Sequence, residues 1–208
     1  MDPNLPDNEG WAAIHNVAMK GDLEIIKFLI ENAKVPIDQR IVGLHSNVDL
    51  TTAIDIALSR GHSEMAEYLL EKGASLAAGF DSKRLRSCTN NALTAIFKGA
   101  SEHDLENPKV WLERAHAHGL VPTVFILKKV IQSVAEYHLE DERFQGWSNF
   151  YFGFLADNIA IDEGDLDIFE EDDWSEILID ALDYAPETIS EAVTTFTKKG
   201  IDVGSDLL

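Results

Sequence analysis

Apolar positions along the first two thirds of the chain come in short helical bursts punctuated by glycine. Within residues 10–30, Ile14, Val17 and Ala18 fall on one face of a short helix. Leu23, Ile26, Phe28, Leu29 and Ile30 fall on one face of a longer one. Gly21 sits between them, where a tight turn needs a residue that tolerates positive φ. Asp22 is placed to cap the second helix with its carboxylate. The pattern returns in residues 51–76: Ile54, Ala57 and Leu58 form the first face, Gly61-His62 the turn, and Met65, Ala66, Leu69 and Leu70 the second face. Gly73 ends the unit, as a C-terminal glycine does. A helix pair this small cannot bury its apolar face alone and must stack on neighbours of its own kind.

These two segments resemble the ankyrin repeat, whose pattern runs approximately G-x-T-P-L-H-x-A-A-x-x-G-H-x-E-[VI]-[VA]-x-x-L-L-x-x-G-A. The first copy matches at Gly10, Ile14, His15, Ala18, Gly21, Glu24, Ile25 and Leu29. The second matches at Thr52, Ala57, Gly61, His62, Glu64, Leu69, Leu70, Gly73 and Ala74. Ala13 and Ala53 replace the pattern's proline and Asp55 its histidine, so the bonding that fixes the turn between copies is partly altered. The resemblance implies an all-α, ankyrin-like solenoid of helix pairs that binds proteins, with an extended hairpin finger between the copies. It also gives His15 and His62 structural roles.

Gly21 and Gly61 are 40 residues apart, against a usual repeat of about 33. The extra length falls between Ile30 and Thr51, in the finger, which carries Arg40, Ile41, Val42, Leu44 and His45. Two readings are open: a finger that contacts a partner, with Arg40 and His45 as contact residues, or a surface insertion tolerated because long loops add little entropy cost. A third, worn copy is expected from residues 91–100 and 107–119, with Pro108 in the first turn of the second helix and Gly119 closing it. Residues 1–120 thus form the repeat part. Residues 121–208 form an acidic helical C-terminal region, expected to stack on the repeats as a cap.

In that region residues 123–138 read as a helix with Val124, Leu127, Val130, Ile131 and Val134 on one face. Residues 147–159 gather Trp147, Phe150, Tyr151, Phe152 and Phe154, a density that points to core more than to interface anchors. The last stretch reads as a further degenerate helix pair, opened by Pro186 and closed by Lys199-Gly200 as the second copy is by Lys72-Gly73.

Charge changes the picture. The 208 residues hold 37 acids and 17 bases, a net charge of −20. Residues 1–135 carry a net of −3 and residues 136–208 a net of −17. Between residues 162 and 183 there are eleven acids and no base. Such a field repels nucleic acid and anionic lipid and attracts basic proteins at long range. The spacing fails the EF-hand pattern, since Ile159 stands where an aspartate is needed five places before Gly164. Leu166, Ile168 and Phe169 interleave with the acids, so the segment is expected to fold back or dock. A capping end repeat with a polar face explains much of the same acidity.

Seven histidines and one cysteine form no constellation with a metal or nucleophile geometry. His116 and His118 are two apart and face different sides of a helix. Phosphate-loop, dinucleotide and nucleophile-elbow motifs are absent from the sequence. The expectation is therefore a non-enzymatic protein without cofactor or metal, monomeric or in a 1:1 heterocomplex. The lone Cys88 suits a reducing, cytoplasmic setting, and the longest apolar stretch, residues 120–127, is far too short to span a bilayer. The candidate partner-binding residues are Asp162, Glu163, Asp165, Asp167, Glu170, Glu171, Asp172, Asp173 and Trp174, with Arg40 and His45 on the finger. The expected partner is a basic protein whose functional surface they cover, as a toxin's immunity protein or an inhibitor of a nucleic-acid-handling enzyme does. The alternative is a general adaptor or effector that binds a host protein through its fingers and the concave surface near Trp11, Ala12, Thr51 and Thr52.

Overall fold

The computed structural model describes residues 2–42, 52–76, 92–137, 142–159 and 174–203. Among these residues there are ten helices and no extended strand, an all-α fold. The chain divides into two compact units, Met1–Leu120 and Val121–Leu208.

The first unit is built from three helix pairs: α1 (Ala13–Lys20) with α2 (Leu23–Glu31), α3 (Ala53–Ser59) with α4 (Ser63–Glu71), and α5 (Ala92–Glu102) with α6 (Pro108–Ala117). In the first pair Gly21 turns at φ 73° and its N–H donates to the Val17 carbonyl. Asp22 caps α2, its side chain accepting from the Ile25 N–H at 3.0 Å. Helix α3 packs against α1 on one side and α5 on the other. That double cover is why every residue from Ala53 to Leu58 is buried. Gly99 on α5 permits the close approach, because a Cβ there would overlap the Leu58 carbonyl oxygen on α3.

The outer helices bury one stripe each: Ile26 and Leu29 on α2; Met65, Ala66 and Leu69 on α4; Trp111, Leu112 and Ala115 on α6. The stripe on α2 is narrower than the sequence pattern suggests. Phe28 is 58% exposed and Ile25 48% exposed. A helix turns about 100° per residue, so Phe28 lies about 200° round from Ile26 and cannot share its face.

The second unit contains α7 (Val124–Tyr137), α8 (Glu142–Asn158), α9 (Trp174–Tyr184) and α10 (Pro186–Lys198). Helix α7 packs on α9, and α10 packs on both α8 and α9. The core collects Val130, Ile131 and Val134 from α7, Tyr151, Phe152 and Leu155 from α8, and Leu178, Ile189 and Phe196 from the last pair. Burial pushes the Tyr151 phenol far above its ordinary range.

One closing device recurs. After α4, α6 and α10 the N–H of Ala74, Leu120 and Ile201 returns to the carbonyl of Leu69, Ala115 and Phe196, at 2.9, 3.1 and 3.0 Å. In each case a buried apolar residue follows the glycine that ends the helix. The last pair therefore ends as the second and third pairs do.

Candidate partner-binding surfaces

At the starts of α1 and α3 a side chain holds the preceding backbone. In the first pair His15, fully buried, accepts from the Ala12 N–H at Nδ1 (3.0 Å) and donates from Nε2 to the Gln39 carbonyl at 2.8 Å. Burial lowers its pKa, against the opposing pull of the Gln39 carbonyl. In the second pair Asp55 does the capping work, its Oδ2 accepting from the Thr52 N–H at 3.1 Å and the Thr52 hydroxyl at 3.0 Å. Burial raises the Asp55 pKa to about 7, with both Thr52 bonds lowering it and Asp38 and Arg40 acting through charge in opposite senses. Asp38 also accepts from the Ser75 N–H at 3.0 Å, which ties the base of the finger to the close of the second pair.

The candidate residues divide sharply. Asp162, Glu163, Asp165, Asp167, Glu170, Glu171, Asp172, Asp173 and His45 lie outside the described residues, as does Thr51. Arg40 is half-exposed at the base of the finger. Trp174 is only 2% exposed and its indole N–H donates to the Val203 carbonyl at 3.2 Å. That corrects its assignment to the binding surface: the ring is consumed by the core of its own unit, with its one donor satisfied. Ala12 and Thr52 are buried as well and present no side chain to a concave surface, while Trp11 is half-exposed.

Acidity does reach the surface where the acidic stretch enters α9. Glu176, Asp180 and Asp183 are exposed and spaced four and three residues apart, which places them along one helix face. Exposed Ile179 stands beside them.

The sequence pattern gave no sign of a second feature, a groove in the first unit. The turn residues stack from pair to pair. The His62 ring lies 2.7 Å from where a Cβ on Gly21 would be, and the His103 Cβ lies 3.0 Å from the corresponding position on Gly61. Burial lowers the His103 pKa, and Arg60 lowers it further. Beside this stack, α4 and α6 leave an open groove lined in part by Glu64, Glu67, Glu106, Val110 and Arg114. Its residues come from three separate pairs, so no local motif announces it. Among the described residues no group of three His, Cys, Asp or Glu side chains is placed to hold a metal ion. None of the described helices is long and apolar enough to cross a membrane.

Stacked helix pairs with glycine turns, capped inner helices and a shared C-terminal closure define a repeat-type binding scaffold. Residues 1–79 match the family described as ankyrin repeats (3 copies). The chain is also similar to ankyrin repeat and SOCS box protein 2 of Bos taurus, 35% identical over 69 residues. That similarity covers 33% of this chain and 10% of the bovine protein, so the chain spans about a tenth of that relative's length. Ankyrin repeats as a family are protein-interaction modules.

Proposed function

We propose that this protein-binding module neutralises a basic partner, its acidic C-terminal part covering the partner's functional surface in a 1:1 complex. The observation that carries the reading is the segregation of charge: −17 of the net −20 lies in residues 136–208. Clustered carboxylates imitate the charge of phosphates, so the partners that fit are proteins that handle nucleic acid. A bacterial toxin held by its immunity protein is one case and an inhibited nucleic-acid enzyme another. Charge of this density favours fast, steered encounter, and a rigid scaffold limits the ordering cost on binding. The exposed face of Glu176, Asp180 and Asp183 supports the reading by continuing the acidic stretch onto a helix surface. A lone cysteine and the polar surface suit action in the cytoplasm.

The test is reversal of Glu170, Glu171, Asp172 and Asp173 to lysine, followed by capture of partners from native lysate. Capture of a basic protein by the parent chain and its loss in the variant are expected. The ankyrin match favours a second reading, an adaptor that binds through its fingers and inner helices, in which the acidic end takes no part. Capture that survives the reversal supports that reading and overturns the first.

A further inference from the structure

The groove between α4 and α6 encloses about 680 Å³ and is walled at one end by the start of α2. Its apolar lining comes from Leu23, Met65, Val110 and Trp111. Met65 and Trp111 are each 2% exposed and form a floor, whereas Val110 is 42% exposed and stands at the edge. The polar lining is one-sided, with Glu64, Glu67, Asp104 and Glu106 set against the single guanidinium of Arg114. Arg114 shows how the groove takes a cation. It donates to both carboxylate oxygens of Glu67, at 2.7 and 2.8 Å, and lies 5.0 Å over the Trp111 ring. An acid-flanked aromatic floor is the arrangement that holds guanidinium groups.

We propose that this groove docks a basic peptide segment of a partner protein, one with apolar side chains between its cations. An apolar side chain seats against Leu23 and Val110 while flanking arginines meet Glu64 and Glu106. Charge complementarity selects this occupant: an acidic peptide or a nucleic acid meets net negative charge on the rim. A small apolar molecule makes no use of the charge on the rim. The inference goes beyond the acidic C-terminal reading, because the groove belongs wholly to the first unit.

The experiment titrates the full chain, with its methyl groups followed by NMR, using a short peptide alternating arginine and leucine. Shifts at Leu23, Met65 and Val110 are expected. Glu64→Lys with Glu106→Lys, both at exposed positions, should weaken binding about tenfold or more. If that pair fails to fold, Glu64→Gln with Glu106→Gln should still weaken it, by about threefold. The chain reversed at Glu170, Glu171, Asp172 and Asp173 should keep the same groove shifts, which separates this proposal from the previous one. Three results overturn it: absence of shifts at the groove, unchanged affinity in a folded Glu64/Glu106 variant, or equal affinity for an arginine–serine peptide of the same charge.

Discussion

Asp55 takes in the second helix pair the place His15 takes in the first, and each accepts from the backbone N–H three residues upstream, at 3.1 and 3.0 Å. One position thus uses two chemistries with opposite responses to pH. The folded protein raises the Asp55 pKa from 3.8 to about 7. Its contribution is therefore fully present below pH 3.8 and is lost as pH rises through about 7. Asp55→Asn keeps an acceptor for Thr52 and removes the buried charge. Urea unfolding at pH 5 and pH 8 should show the variant gaining on the parent with rising pH, by about 2 kcal/mol at pH 8. A difference that is constant across this range contradicts the assignment.

His15 responds in the other sense. Its pKa is lowered from 6.5 by burial, so its contribution is present above pH 6.5 and lost as pH falls through the lowered value. His15→Ala strips the buried Ala12 N–H of its acceptor and the Gln39 carbonyl of its donor. The variant should lose about 2–4 kcal/mol at pH 7.5. The deficit should shrink toward pH 5, as read from the same unfolding curves.

Two glycines are held by contact. Gly99→Ala adds helix propensity worth about 1 kcal/mol, yet the new methyl overlaps the Leu58 carbonyl oxygen. Overpacking should win, leaving the variant about 2 kcal/mol less stable. Gly21→Ala combines φ 73° with the His62 ring 2.7 Å away. It should cost about 1–2 kcal/mol, and the pair with His62→Ala should recover part of the loss. Thermal unfolding of the three variants checks both.

Trp174 acts inside its unit. Trp174→Phe keeps most of the packing and loses the bond to the Val203 carbonyl, so it should cost about 1 kcal/mol. Trp174→Ala should cost about 3–5 kcal/mol. Partner capture by the folded Phe variant should match the parent.

The repeat pairs were legible in the sequence because their signals are local. Gly21, Gly61 and Gly73 mark turns, Asp22 marks a cap, and Pro108 and Gly119 bracket α6 even where the repeat pattern fades. Local signals also set the limits. Apolar residues crowd α2, so the sequence pattern sets Phe28 inward with Ile26 and Leu29, and helix geometry turns it outward. Trp174 reads in the sequence as part of the acidic surface because its neighbours are charged, while its fate depends on Val203, 29 residues away. The groove draws Leu23, Glu67 and Arg114 from three different pairs, and no pattern within a single repeat brings them together.

Charge-driven capture of a basic protein is the central claim, and the rate of association with the captured partner tests it most directly. The Debye length falls from about 30 Å at 0.01 M salt to about 8 Å at 0.15 M. Stopped-flow mixing over that range should show the association rate falling about tenfold or more. A rate that stays level across the same range contradicts the account.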